Sequence, residues 1–253
     1  MYQKFLTTKN IEEKNKNIFM IFIGLDVSKI STALCIEKNN KVKLFNYTTK
    51  KDNNVWVKDT TPFINYRHIN YNYSDEKDYS KSEMIKLDEF DQITDLIIDD
   101  IFDSIKVLDS VKIGIEGYAY KAKGPIFDLI EYTTFLKYKL ISKMGKFSTI
   151  QIISPLTLKN ECCKMVYKPR IELKGKKIIK EIPHYENNNG KSSNNFDKWD
   201  MFFAFIESNI DMELKKWCKE YLTEISKNKD VFKPLDDIID SIFLKEMMKR
   251  NNE

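Results

Sequence analysis

The stretch "IFIGLDVSKISTALCI", Ile21 to Ile36, opens as an unbroken apolar run and then places Asp26 where another core residue is due. A carboxylate withdrawn from water is costly unless it is paired, hydrogen-bonded or bound to a cation. A fold that buries this segment must therefore bring partners to Asp26 from elsewhere in the chain.

The segments around it set the architecture. Residues 18–27 and 31–38 read as strands separated by "SKI", and 42–49 reads as a third beyond the polar "KNN", which together form an antiparallel meander. Residues 50–86 are rich in Asn, Asp, Lys and Tyr without steady periodicity and read as an insertion, ordered in part around Trp56, Phe63 and Tyr66. In "DEFDQITDLIIDDIFDSIKVL" the apolar residues Phe90, Ile93, Ile97, Ile101 and Ile105 recur at helical spacing. "VKIGIEGYAY" (111–120) is a strand that ends in a Gly-containing turn. Residues 125–143 form a helix with Phe127, Ile130, Thr134 and Tyr138 on one face, and 148–154 form a short strand closed by Pro155.

Residues 159–198 read as a second irregular region, with a basic hairpin over 168–180 (Lys168, Arg170, Lys174, Lys176, Lys177, Lys180). "WDMFFAFIESNI" (199–210) is a helix. Its apolar residues Trp199, Phe202, Phe203 and Phe205 exceed what one core face needs, so part of them is available as a dimer surface, with core packing the default. "PLDDIIDSIFLKEMMK" is the last helix, opened by Pro234. The expected class is α/β: a polar leader over 1–17, then one domain over 18–249 with insertions at about 50–86 and 160–195. Its mixed central sheet combines the three-strand meander with parallel strands, flanked by helices.

Composition narrows the function. Basic residues number 42 against 38 acidic, a formal charge of +4, which gives only a weak pull toward polyanions. With 2 His and 4 Cys, and Cys162 next to Cys163, no zinc-ligand spacing exists, and reduced thiols in an intracellular compartment are expected. The run "IFMIFIGL" is too short to span a bilayer and the polar start does not resemble a secretory leader, so a soluble intracellular protein without a membrane partner is expected.

Carboxylates stand against the grain of their surroundings in three places. Asp26 ends the first strand, Glu116 sits late in "IGIEGYAY", and "DDIID" carries Asp236, Asp237 and Asp240. Each has an ordinary use: Asp26 as a turn cap, Glu116 paired with a lysine, and Asp236 and Asp237 at the positive end of a helix dipole. Asp240, beyond the first turn and between Ile239 and Ile242, fits that use less well. Asp237 and Asp240 share a helix face, as do Asp236 and Asp240, and spacing alone does not choose between the pairs. Together, such carboxylates require a cation. Oxygen-only ligation suits Mg²⁺, with Mn²⁺ as a substitute, and two ions about 4 Å apart serve phosphodiester hydrolysis.

"FIGLDVSKISTALCI", "IGIEGYAY" with "KGPIFDLIEYTTFLKYKL", "ISPLTLK", "FDKWDM" and "PLDDIIDSIFL" resemble the successive motifs of RuvC-type Holliday junction resolvases, in the form found in phages and large DNA viruses. The resemblance covers roughly 18–49, 110–160 and 195–245. It implies a ribonuclease H-like fold and a Mg²⁺-dependent homodimer that cuts four-way DNA junctions, in a viral replication site, nucleus or cytoplasm. It also implies catalytic and metal-binding roles for Asp26, Glu116, Asp237 and Asp240, with Asp236 as the substitute, and places Lys159 and Lys198 near DNA. The two insertions are longer than in compact bacterial members.

Lys121, Lys123 and Gly124, just beyond Glu116, are candidates to hold phosphates, with a solvated loop as the plain alternative. Tyr118 and Tyr120 are candidates to stack on bases, with ordinary packing as the alternative. The basic hairpin can track a DNA arm or serve as a solvated edge. Three other readings compete. An actin-type phosphotransfer ATPase would need a DxGG loop that the chain lacks. A non-catalytic junction-binding protein would not need every acid. Another nuclease or transposase of the same fold is not separated by the acids alone.

Overall fold

Strands β1 (Met20–Asp26), β2 (Ser31–Lys38) and β3 (Lys41–Thr48) form the expected antiparallel meander in the computed structural model, which describes residues 19–49, 55–105, 109–118, 126–144, 148–170 and 184–251. The turn between β2 and β3 is Asn39–Asn40, both at positive φ (53° and 58°), the conformation a tight hairpin asks of its central residues and that Asn tolerates. On the other side of β1 lie two parallel strands, β5 (Ser110–Glu116) and then β6 (Ser148–Ile153).

The sheet has six strands, because the first insertion contributes one. Residues 50–86 are not irregular throughout: α1 (Val55–Thr60) leads into β4 (Ile64–His68), which pairs in parallel with β3 and gives the order β4-β3-β2-β1-β5-β6. Trp56 stacks on Phe232 at 4.8 Å and Phe63 lies 6.4 Å from Trp217, so the aromatic residues of this insertion do order it. Helix α2 (Tyr79–Phe102) starts well before its apolar stripe, because Asp78 caps it by accepting from the Lys81 N–H. The stripe itself, Phe90, Ile93, Ile97 and Ile101, is buried as its spacing requires.

Helix α3 (Ile126–Met144) does carry Phe127, Ile130, Thr134 and Tyr138 on one face, and that face is turned outward. Tyr132, Leu136 and Leu140 face the core, where Tyr132 meets Phe90 at 5.4 Å. Phe127, Ile130, Tyr138 and Ile141 face outward. The helix carries two apolar rows, and the one at strict i, i+4 spacing docks. Pro155 does not merely close β6; it opens α4 (Pro155–Val166), with Ser154 as the N-cap, so the start of the region expected to be irregular, residues 159–166, is helical. Beyond it, β7 (Pro169–Arg170) pairs antiparallel with β8 (His184–Tyr185); Lys174, Lys176, Lys177 and Lys180 lie outside the described residues.

A capping box of Asp197 and Asp200 starts α5 (Lys198–Glu207). Phe202 and Phe205 are fully buried, so the apolar excess of this helix is core, and only Phe203 with its stacked neighbour Trp199 reaches the surface. Helices α6 (Glu213–Glu220) and α7 (Leu222–Ile225) follow where sequence periodicity marks none, and α8 (Leu235–Arg250) ends the described fold. Among the described residues no helix is long and apolar enough to cross a membrane.

Both faces of the sheet are covered. Ile21, Ile23 and Leu25 of β1 and Ile113 and Ile115 of β5 pack toward α2 and α3. The opposite face receives α8, with α4 and α5 behind it, so α8 is buried nearly all round. Its seat is made by two glycines paired in register, Gly24 and Gly114. A Cβ on Gly24 would lie 1.9 Å from the Ser241 carbonyl oxygen, and one on Gly114 would lie 3.2 Å from that of Leu244. At the far end of the same contact, buried Lys245 pairs with Glu246 and with Glu37 at 2.7 Å, and Lys249 reaches Glu37 at 2.5 Å.

Two outcomes follow from this packing. Gly24→Ala cannot be absorbed by a rotamer change and should cost about 3 kcal/mol or more in urea unfolding, or abolish folding. Burial alone pushes the Glu37 carboxyl up, but Lys245 and Lys249 outweigh it and hold it below the ordinary value of 4.5. The stabilisation from this pairing is therefore complete above that value and is lost as pH falls through the depressed one. Glu37→Gln should cost about 2 kcal/mol at neutral pH, and urea curves of the two proteins should converge as pH falls below about 4.

Candidate functional site

Successive side chains of a strand alternate between faces, so the direction of Gly24 fixes that of Asp26, and the direction of Gly114 fixes that of Glu116. Both acids therefore lie on the α8 side, at the ends of neighbouring parallel strands. The first turns of α8 bring Asp236, Asp237 and Asp240 to the same place. The turn after Asp26 is held by Lys29, whose ammonium pairs with Asp128 of α3 at 2.6 Å, and by Thr32, which donates to the Ser28 carbonyl at 2.7 Å.

These groups are coupled electrostatically. Burial, then Glu116 and Asp237, push Asp26 well above the usual carboxylate range; Glu116 also hydrogen-bonds to it, and Asp240 adds a further push. Asp240 is likewise driven well up by burial and by Glu116, Asp237 and Asp236, with Lys233 opposing. Asp237 is raised by burial and by Asp236, against the pull of Lys233 and the Ser31 hydroxyl. The four carboxylates singled out by the sequence thus act on one another electrostatically, with Asp26 and Asp237 buried and Glu116 and Asp240 half-buried.

Asp236 belongs to the same cluster but is paired. Its Oδ2 meets the ammonium of Lys198 and lies 3.3 Å from that of Lys233, which also bonds Asp237 Oδ1. Lys233 was not singled out in the sequence; its signal is a lysine three and four residues ahead of two acids in "KPLDD".

Three buried carboxylate oxygens in this cluster, Asp236 Oδ1, Asp237 Oδ2 and Asp240 Oδ1, have no hydrogen-bond partner. Orphaned anionic oxygens and an all-oxygen donor set fit a hard divalent cation. Among the described residues, no three acidic, histidine or cysteine side chains are drawn together into a group that holds an ion as they stand. The positive charge facing the acids comes instead from Lys198 and Lys233.

The other residues marked by sequence are placed variously. Lys198, at the start of α5, joins the cluster with half of its side chain exposed. Lys159 donates to the Phe196 carbonyl at 2.6 Å and so ties α4 to the approach of α5. Tyr118, two residues past Glu116, has the Lys137 ammonium 4.6 Å from its ring centre. Lys121, Lys123 and Tyr120 lie outside the described residues. All four cysteines are buried and unbridged.

No protein-family model matches the chain, and no curated protein matches it in sequence. Two solved structures of RuvC from Thermus thermophilus, one of them in complex with a Holliday junction substrate, align over 92% of this chain and 97% and 96% of theirs, each at 8% identity and a TM-score of 0.42. So loose a superposition adds nothing to what the strand order and side-chain geometry show directly.

Carboxylates that repel one another in a buried place destabilise the ion-free protein. Asp240→Asn, which keeps the shape and removes one charge, should raise the unfolding free energy in EDTA by about 1–2 kcal/mol, measured by urea denaturation. A loss of stability would mean that Asp240 is held by partners rather than strained.

Proposed function

We propose that this chain is a Mg²⁺-dependent, structure-selective DNA endonuclease that resolves four-way junctions. What supports the reading is that Asp26 and Glu116 end adjacent strands on the side of α8, act electrostatically on Asp237 and Asp240 at its start, and that buried oxygens of Asp237 and Asp240 lack partners. The motif order described above, in a mixed six-stranded sheet, supports the junction as substrate.

Asp26, Glu116, Asp237 and Asp240 would hold the cations. Bound Mg²⁺, or Mn²⁺ in its place, would supply activation of the attacking water and charge neutralisation at the leaving 3′ oxygen, which would leave 5′-phosphate ends. The protein's own part is placement. Asp26 ends a strand paired on both edges, so its position is fixed to within the rigidity of the sheet. Lys198, half exposed beside Asp236, is placed to meet a phosphate oxygen entering over the acids. Lys121, Lys123, Lys159 and Tyr118 complete the proposed DNA-contacting set. Symmetric cutting needs a homodimer, and the outward apolar row of α3 offers the kind of surface such a contact uses.

The test is cleavage of a labelled four-way junction against linear duplex and RNA–DNA hybrid, in Mg²⁺ and in EDTA. Junction cutting that EDTA abolishes is expected, and Asp26→Asn should bind the junction with wild-type affinity while cutting at least about 1,000-fold more slowly. Absence of cutting on every substrate would leave a non-catalytic junction-binding protein. Hybrid cutting without junction preference would point to another nuclease of the same fold.

A further inference from the structure

Among the described residues, two lysines stand at the acidic cluster, and they are held differently. Lys198 ends on Asp236 alone, with 52% of its side chain exposed. Lys233, at 31%, spans two carboxylates: its ammonium bonds Asp237 Oδ1 and lies 3.3 Å from Asp236 Oδ2. Asp237 is one of the residues proposed to hold a cation; Asp236 is not. Each still has a second buried oxygen without a partner. Lys233 stands three and four residues ahead of the two acids, so one ammonium reaches either carboxylate at the start of α8.

We propose that Lys233 is a resident counter-ion of the acidic site, which a divalent ion displaces from Asp237 onto Asp236. The inference rests on the metal-holding reading given above. An ammonium and a divalent ion crowded onto one carboxylate repel each other, so filling the site requires Lys233 to leave Asp237. Departure with no second anion in reach would leave the ammonium of this half-buried side chain unpaired. Asp236 removes that obstacle, because the ammonium already lies near it. This also gives a role to the acid that spacing left as an alternative to Asp237: it receives the lysine instead of holding the ion. Coupling of this kind is reciprocal, so the lysine weakens ion binding by the same factor by which the ion loosens the lysine from Asp237.

The test uses the full chain, with Mn²⁺ binding measured by titration calorimetry and melting followed with and without Mn²⁺. Lys233→Met should melt lower than wild type in EDTA, yet bind Mn²⁺ about tenfold more tightly and gain more in melting temperature from it. Lys233→Arg, which keeps the charge, should bind no more tightly than wild type. Asp236→Asn should weaken Mn²⁺ binding about threefold in the wild-type background and change it by less than about twofold beside Lys233→Met. If Lys233→Met does not fold, Lys233→Gln carries the same expectation. Mn²⁺ binding by Lys233→Met that equals or falls below wild type overturns the proposal, as does an equal loss from Asp236→Asn in both backgrounds, which would make Asp236 a ligand. Absence of Mn²⁺ binding by wild type and Lys233→Met alike would overturn the metal-holding reading itself.

Discussion

The contact on which the rest depends is that of one helix against bare backbone. Gly24 and Gly114 face each other across the β1–β5 pair, and α8 lies on them so closely that a methyl group on Gly24 would collide with the Ser241 carbonyl. Strand alternation then does the remaining work. If residue 24 points at α8, so does residue 26; if residue 114 does, so does residue 116. The seat that fixes the helix is the same geometry that aims both strand-end acids at its first turns, so packing and site are one arrangement viewed at two places along the same contact.

That arrangement is electrostatically expensive. Burial and mutual repulsion drive Asp26, Asp237 and Asp240 upward together, and the lysines relieve only part of it. The opposite end of α8 shows the contrast. There Lys245 and Lys249 meet Glu37 directly, and the carboxyl is held down despite burial. One end of the helix contact is a satisfied ion network and the other an unsatisfied one. Groups left unsatisfied inside a well-packed fold are the usual mark of a place built for something else to bind.

The meander, the buried stripe of α2 and the acids themselves were legible because each rests on local periodicity or on a charge in the wrong company. Hydrophobic pattern does not choose the docking face of α3, which has two apolar rows; tertiary partners such as Phe90 and the Thr32 hydroxyl select Tyr132 and its row. The helix from Pro155 is hidden in the sequence because a proline after an apolar run marks the end of a strand as readily as, after Ser, the start of a helix. Strand β4 lacks alternation, being a short edge strand, and its burial comes from Ile64 alone. Lys233 carries no signal of its own in the sequence, because a lysine beside acids is ordinary at a surface and gains meaning only from the burial of the acids it faces.

The acids of the cluster are supplied by the first strand, a middle strand and the last described helix. A ribosome delivers these in order, and β1 and β5 are made long before residues 235–250. Until then the glycine seat lies open and the strand-end carboxylates have no facing partners. Whatever chemistry the cluster performs is therefore withheld from any form of the chain, nascent or truncated, that stops short of α8, a safeguard that follows from the order of these elements alone.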